Sequence, residues 1–329
     1  MKVECGKGSK MKQAKVALLL IFAPVFLFTV LCAKIQAKNI VIATSSVVLT
    51  NTPIWVGIEK KFFEESGLTI QYIVMRSDLA VKGLITGDVD YMQSSSSVLR
   101  AAVAGAPLVT ILGVYNRTFF DLVARPEIKS LGDLRGKPVG ISRHGASTEY
   151  AVRFALKANG IDPDKDVKLL AVGSGSDAAR ISALEGEIIS AAVLQVPSNL
   201  MAHKQGMRTI LPLGDYLDTL FAGLGTSSKK IQQNRDEARQ VIRGVLKSID
   251  FMTQNPVETK AIIRKNLRGI EPTAVDYIYS LVVPYATRNG IASKKALENS
   301  LLGSQFEGKP INFDKLVDFS IAREVTQGK

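Results

Sequence analysis

The hydrophobic positions after residue 37 recur with two spacings, one typical of strands and one typical of helices. The β-branched segments NIVIATSS and LTIQYIVM predict a first and a second strand. Between them, PIWVGIEKKFFEESG places Ile54, Ile58 and Phe62 at every fourth position and ends at Gly67, which predicts a helix. Strand and helix patterns then alternate to about residue 116, and this alternation predicts a largely parallel sheet covered by helices.

The middle of the chain repeats itself at a distance of 99 residues. One copy, SDLAVKGLITGDVDYMQSS, begins at Ser77, and the other, SDAARISALEGEIISAAVLQVPS, begins at Ser176. Gly87 and Gly186 occupy the same place in the two copies. Two similar α/β units predict two lobes that face each other, with a binding site between them.

Beyond the second copy the pattern becomes helical. From Lys229, KIQQNRDEARQVIRGVLKSIDFMTQNP predicts one long amphipathic helix that Pro256 ends, and three or four further helices follow. We expect this tail to pack back on the first lobe, so that the chain crosses between lobes near 120–124 and again near 221–225. The predicted lobe 1 comprises 38–123 plus 223–329, and lobe 2 comprises 124–222.

The first 37 residues have the pattern of a secretory signal peptide. Five lysines precede the uncharged run from Val16 to Leu31, and the small residue Ala37 follows. That run has sixteen residues and contains Pro24, whereas a spanning helix needs roughly 20. We therefore predict cleavage before Lys38 and a periplasmic location.

Three alternatives remain open at the N-terminus. The segment is retained as a membrane anchor, or it carries a lipid on Cys32, or translation starts at Met11, since MKQAKVALLL is already a complete signal opening.

Charge and cysteine content exclude several function classes. Both cysteines, Cys5 and Cys32, precede Lys38, so the mature chain has no disulfide, no thiolate nucleophile and no cysteine-based metal site. The full chain carries a net charge of +12, and removal of six lysines and one glutamate leaves 36 basic and 29 acidic residues. The signs are interleaved, as in KNLRGIEP, and no basic run carries interleaved aromatic residues, so we expect no nucleic-acid partner.

Catalytic and metal-binding patterns are absent from the sequence. The two histidines, His144 and His203, have no spaced carboxylate partners, and neither a G-x-S-x-G elbow nor a Walker loop occurs. We therefore expect no metal, no cofactor and no enzymatic turnover.

Five segments in order resemble a known family. They are PIWVGIEKKFFEESGL, GDVD at 87–90, AGAP at 104–107, DLRGKPVGIS at 133–142 and NRDEARQVIRGVL after residue 233. This set is similar to the solute-binding proteins of ABC importers that take up nitrate, sulfonates, taurine or pyrimidine precursors of thiamine. The resemblance departs at Ile189-Ser190, where the second copy lacks an aspartate to match Asp90.

The resemblance implies a fold and partners. The fold is an α/β type II periplasmic binding protein, with two α/β lobes joined by two crossovers and a helical C-terminal tail packed on lobe 1. The implied partners are a small-molecule ligand and the transmembrane subunits of an ABC permease. The protein is expected to be a monomer that meets the membrane only through the permease or an unremoved N-terminal segment. An enzyme on the same fold, acting in pyrimidine-precursor metabolism, and a ligand-sensing receptor partner are the alternatives.

Ligands of open α/β sheets bind beyond the carboxyl ends of the strands, where helix N-termini offer backbone N–H groups. Four such turns are rich in hydroxyl groups or carry an arginine that is placed to neutralise an anion. Serine, threonine and aspartate also cap helices whatever the function, but the four serines from 94 to 97 exceed what one cap requires, whereas Asp78 and Asp177 are expected to be caps. The candidate ligand-binding residues are Ser45, Ser46, Thr50, Arg76, Ser94, Ser95, Ser96, Arg143, Ser147, Thr148 and Gln195.

Four aromatic residues lie near strand ends or the first crossover. Core packing is expected for Trp55 and Phe119, while Tyr115 is a candidate for stacking on a ring-shaped ligand. The ligand itself is left open among nitrate, a sulfonate, a carboxylate and a pyrimidine-like ring.

Overall fold

The computed structural model describes residues 37–173, 176–302 and 304–328. The predicted signal peptide and both cysteines therefore lie outside the described residues, apart from Ala37. Within the described ranges the strands are β1 (Lys38–Thr44), β2 (Leu68–Val74), β3 (Tyr91–Met92), β4 (Leu108–Arg117), β5 (Phe120–Ala124), β6 (Pro138–Ile141), β7 (Lys168–Ala171), β8 (Ala191–Gln195), β9 (Arg208–Pro212) and β10 (Asp218–Ser227).

The helices surround these strands. They are α1 (Thr52–Glu59), α2 (Ser77–Thr86), α3 (Ser95–Val103), α4 (Ser147–Ala158), α5 (Asp177–Glu185), α6 (Ser198–Lys204), α7 (Ser228–Gln233), α8 (Arg235–Gln254), α9 (Pro256–Asn266), α10 (Pro272–Val282), α11 (Lys294–Asn299) and α12 (Ser320–Thr326). Short 3₁₀ helices cover Leu49–Asn51, Glu64–Ser66, Leu131–Leu134, Leu213–Asp215 and Phe313–Lys315. No described helix is long and apolar enough to cross a membrane.

The strands form two five-stranded sheets with the same layout. The first sheet has the order β2-β1-β3-β10-β4 and the second has the order β7-β6-β8-β5-β9. In each sheet the fourth strand is antiparallel to both of its neighbours, β10 in the first and β5 in the second. The predicted two α/β lobes are therefore confirmed, but the sheets are mixed because the strand that follows each crossover runs against the others.

Both crossovers lie earlier in the chain than predicted. Residues 120–124 form β5 of the second sheet, and residues 221–225 lie inside β10 of the first sheet. The crossovers are instead the short links 118–119 and 213–217. The sequence pattern predicts crossovers at apolar runs such as FDLVA, which instead form strands with a neighbour on each side. The domain boundaries at 123/124 and 222/223 stay a prediction.

The helical tail packs on the first lobe, as predicted. Trp55 and Val56 of α1 share one buried core with Val245 and Ile249 of α8 and with Ile278 of α10. The predicted single long helix is two helices, because Asn234 leaves helical geometry with φ −137° and ψ 46° between α7 and α8. Helix α1 is also shorter than its pattern and ends at Glu59.

Candidate ligand-binding cavity

The carboxyl ends of strands from both sheets meet at one cavity of about 210 Å³. The first lobe contributes the residues after β1 and β3, and the second contributes the start of α4 and the end of β8. The residues that line the cavity are Thr44, Ser45, Ser46, Val48, Thr50, Gln93, Ser94, Ser96, Ser97, Phe120, Ser147, Gln195, Phe221 and Ala222. Hydroxyl and amide groups therefore dominate a lining that both repeats build.

Seven of the eleven candidate residues line this cavity. They are Ser45, Ser46, Thr50, Ser94, Ser96, Ser147 and Gln195. They come from four separate segments, so the fold brings together positions up to 150 residues apart in the chain. That these residues bind a ligand stays a prediction.

The two candidate arginines are not part of the lining. The Arg76 side chain is 79% exposed and forms an ion pair with Asp78, with Nε 3.1 Å from Oδ1. Arg143 is exposed in the turn after β6. Because β2 lies at the outer edge of its sheet, the turn that carries Arg76 is separated from the cavity by β1. Arg76 and Arg143 therefore lie outside the described lining, and the role predicted for them, to neutralise an anion, stays a prediction.

Two candidate hydroxyl residues point elsewhere. Ser95 is fully buried on the core side of the first turn of α3. Thr148 is also buried, and its hydroxyl oxygen accepts a hydrogen bond from the backbone N–H of Ser142 at 3.1 Å. Successive residues of a helix are rotated by about 100°, so Ser95 and Thr148 face away from the cavity that Ser96 and Ser147 line.

The Ser94 hydroxyl does not cap its helix. It lies 3.1 Å from the Ser45 hydroxyl, and α3 has no side-chain cap. The serines that precede α5, α7 and α11 do cap, since Ser176, Ser227 and Ser293 each accept a hydrogen bond from a backbone N–H of the following helix. The capping explanation therefore fails for Ser94, and its hydroxyl is turned to the cavity instead.

A buried polar network supports the wall of the first lobe. The Gln93 amide oxygen accepts hydrogen bonds from Asn51 Nδ2 at 2.7 Å and from the Tyr72 hydroxyl at 2.6 Å. Its amide nitrogen donates to the carbonyl of Thr50 at 2.6 Å, and Asn51 Nδ2 also donates to the Thr44 hydroxyl at 3.0 Å. Burial raises the pKa of Tyr72 well above its usual range, so this hydroxyl stays protonated and donates. The network holds Gln93 and Thr44 in fixed orientations at the cavity.

An aromatic pair forms the remaining side of the cavity. The rings of Phe120 and Phe221 meet edge to face, with centroids 5.7 Å apart and an interplanar angle of 83°. The Phe119 ring also packs edge to face on the Phe221 ring, with centroids 6.2 Å apart. Tyr115, the predicted stacking residue, is fully buried instead and donates its hydroxyl to the carbonyl of Val282 at 3.2 Å. Trp55 and Phe119 are core residues, as predicted.

None of the described residues that line the cavity has an ionisable side chain. A charged cluster lies behind the start of α4, where the Glu149 carboxylate accepts hydrogen bonds from the Gly145 N–H at 2.8 Å and from Arg153 Nε at 2.9 Å. Burial opposes ionisation of Glu149, but these hydrogen bonds and one with His144 lower its pKa below the usual range. The described lining therefore offers hydrogen-bonding groups and aromatic rings but no ionisable side chain.

Similar proteins share this architecture. The periplasmic nitrate-binding protein NrtA from Synechocystis PCC 6803 superposes with a TM-score of 0.66 at 13% identity, over 89% of each chain. The aliphatic sulphonate-binding protein SsuA from Escherichia coli superposes with a TM-score of 0.62 at 17% identity, over 76% of this chain and 85% of SsuA. At these identities the likeness establishes the fold, which is that of the two-lobed periplasmic binding proteins.

The family follows from the sequence itself. Residues 49–259 match the family model described as NMT1/THI5 like, and the chain belongs to that family. The riboflavin-binding protein RibY from Chloroflexus aurantiacus is 27% identical over 168 residues, which are 50% of this chain and 47% of RibY. The match thus spans about half the length of that relative. The resemblance predicted from the ordered segments is confirmed at the level of the family.

Proposed function

We propose that this protein is an extracytoplasmic solute-binding protein that captures a small polar molecule between its lobes and delivers it to an ABC permease. The observation that carries the proposal is the cavity of about 210 Å³, to which both repeats contribute hydroxyl and amide groups at the carboxyl ends of their strands. A site divided between two lobes is suited to capture and release, because each lobe supplies part of the contacts. The predicted signal peptide supports a periplasmic location for this activity.

The lining indicates the kind of ligand. A carboxylate, a sulfonate or nitrate would be held by hydroxyl donors and by the start of α3 and α4, without a countercharge from the described lining residues. A pyrimidine-like ring would use the same donors and pack against Phe120 and Phe221. Among the described lining residues none is ionisable and two present aromatic edges, which favours a neutral ring over a bare anion.

The proposal includes no turnover. His144 is largely exposed beside Glu149, and the His203 ring accepts a hydrogen bond from the backbone N–H of Thr209 at 3.1 Å. Neither histidine lines the cavity, so neither is placed to act as a base on a bound molecule. A binding role requires only the donors that the cavity already presents.

A ligand panel tests the proposal. Purified mature protein is screened by thermal shift and calorimetry with nitrate, ethanesulfonate, acetate, cytosine and riboflavin. A compound present at 100 times its dissociation constant raises the free energy of unfolding by about 2.7 kcal/mol, which gives a clear shift in melting temperature. Recovery of the bound compound unchanged supports a binding protein, whereas chemical conversion supports the enzyme alternative. If no compound of these classes shifts the melting temperature, the proposal fails for them.

A further inference from the structure

Asp177 and Arg180 form a pair beneath the wall that the second lobe contributes to the cavity. The Asp177 carboxylate accepts a hydrogen bond from the backbone N–H of Gln195 at 2.9 Å, and its other oxygen accepts one from Arg180 Nη2. Asp177 is not the cap that the sequence predicts, because Ser176 caps α5 by accepting from the backbone N–H of Ala179 at 3.3 Å. The Asp177 carboxylate therefore reaches across to the end of β8.

Arg180 anchors this carboxylate from the protein interior. Its side chain is only 2% exposed, and Nε donates to the carbonyl of Val193 at 2.9 Å while Nη1 donates to that of Val172 at 3.2 Å. A buried guanidinium is tolerated only when it is paired and hydrogen-bonded. Here one side chain ties the middle of β8 and the residue after β7 to the first turn of α5. The position of Asp177 is thereby fixed.

The last residues of β8 pair with a neighbouring strand on one side only. On one side β5 pairs with β8 as far as Gln195, which lies opposite Phe120. On the other side, within the described residues, β6 pairs with β8 only at Ala191 and Ala192. The strand therefore runs on past its parallel neighbour, and the Asp177 carboxylate takes the place of that neighbour at Gln195.

The first repeat lacks this arrangement. Its equivalent aspartate, Asp78, pairs with Arg76 at the surface, and the position that matches Arg180 is Val81. There the cavity-lining Gln93 is held by Asn51 and Tyr72 instead. The buried pair is thus a feature of the second repeat alone and is not required by the strand-turn-helix unit.

We infer that Asp177 and Arg180 are positioning residues that fix the backbone of Gln195 and so direct its side-chain amide to the ligand. This inference rests on the proposed function, because it takes Gln195 to contact the bound molecule. Neither charged residue is among those that line the cavity, so both act through Gln195. The second wall thereby gains a rigid donor and acceptor without placing a charge in the cavity.

A double-mutant cycle separates positioning from a purely structural role. Wild type, Asp177→Ala, Gln195→Ala and the double variant are titrated with nitrate, ethanesulfonate, acetate, cytosine and riboflavin, with Asp78→Ala as the matched control from the first repeat. We expect Asp177→Ala to weaken binding about threefold to tenfold in the wild-type background and to cause no further loss when Gln195 is already alanine. Asp78→Ala should leave the affinity unchanged. An equal loss from Asp177→Ala in both backgrounds would overturn the inference.

A second measurement needs no ligand. Amide hydrogen exchange at Gln195 is followed by NMR in the wild type and in Asp177→Asn, which keeps the side-chain shape if Asp177→Ala does not fold. We expect at least about tenfold faster exchange at Gln195, with Leu194 as an internal reference because it stays paired with Asp121 of β5. Unchanged exchange at Gln195 overturns the inference. If none of the five compounds binds the wild type, the proposed function fails while this measurement still decides whether the pair holds Gln195.

Discussion

The hydroxyl oxygens of Ser45 and Ser94 lie 3.1 Å apart, although 49 residues separate them in the chain. One follows β1 and the other follows β3, and these two strands are parallel neighbours in the first sheet. The two hydroxyl groups can donate and accept hydrogen bonds at the cavity, because the Ser94 hydroxyl accepts none from the backbone N–H groups of α3.

Replacing both serines tests this surface. Ser45→Ala with Ser94→Ala should weaken binding of any compound that the panel identifies by tenfold or more, since each hydrogen bond contributes about 0.5–1.5 kcal/mol. The matched control is Ser293→Ala, which removes the cap of α11 and should cost about 1 kcal/mol of stability without affecting affinity. Calorimetric titration and thermal melting measure the two effects. An unchanged affinity in the double variant would assign both hydroxyls a structural role only.

The aromatic side of the cavity makes a separate prediction. Phe221→Leu removes edge-to-face contacts with Phe120 and Phe119, so it should lower the free energy of unfolding by roughly 1–3 kcal/mol. It should also weaken binding of ring-bearing compounds more than binding of nitrate. Phe251→Leu is the control, because it removes a similar contact with Phe62 at 5.6 Å outside the cavity. Equal effects of the two variants on binding would rule out a role for the Phe221 ring.

Gly214 lies where the two links between the lobes touch. A Cβ atom there would stand 2.2 Å from the carbonyl oxygen of Thr118 and 2.6 Å from Arg117 Nη2. Because the backbone carbonyl has to shift, Gly214→Ala should lower the free energy of unfolding by about 1–3 kcal/mol, as overpacking does. In Gly132→Ala the added atom would meet nothing nearer than Ser130 Oγ at 3.5 Å, so that variant should stay close to the wild type. Urea denaturation of both variants decides the point.

Glu149 gives a pH-dependent prediction. Its pKa is lowered in the folded protein, so its ionised form contributes stability at pH values above the unfolded pKa of about 4.3, and that stability is lost as the pH falls through the lower, folded value. Glu149→Gln should therefore be less stable than wild type at pH 7, by about 1.5–3 kcal/mol for the lost charged hydrogen bonds. The two proteins should converge once the pH falls below the lowered pKa that Glu149 has in the folded protein. A difference that persists undiminished in acid would assign the effect to packing.

Processing of the N-terminus is checked by mass. Intact protein recovered from the cell envelope should begin at Lys38, as expected for removal of a signal peptide. A mass that retains the first 37 residues would contradict cleavage, and a lipid adduct on Cys32 would identify the anchored form.

The sequence predicts the strand-end turns better than it predicts which turn faces the cavity. Ser45 and Ser94 follow central strands, while Arg76 follows the edge strand β2, and strand order is set by tertiary packing that periodicity does not report. The local pattern does not distinguish Ser95 and Thr148 from their neighbours, because a single helical step decides which side chain faces the core.

Other cavity residues were missed for a different reason. Phe120 and Phe221 lie in β5 and β10, where the sequence pattern predicts crossovers, so the pattern does not single out their side chains. Gln93 depends on Asn51 and Tyr72, and this contact between distant segments leaves no local signal. The family segments, in contrast, extend in order over most of the chain, which is why they identified the family correctly.

The paired strands at the two crossovers place the entry and exit of the second sheet side by side. Asp121 lies opposite Pro212 in the second sheet, and Arg117 lies opposite Asp218 in the first. All five strands of the second sheet come from one uninterrupted stretch, 120–212, which leaves the first sheet and returns next to its point of departure. The second lobe is therefore a single insertion between β4 and β10. Deleting 118–217 and joining the ends by a tight turn would make β4 and β10 a β-hairpin. Every strand of the first sheet would be kept. The cavity residues that follow β1 and β3 would then remain on a single lobe. The second lobe of another family member could be inserted at the same point.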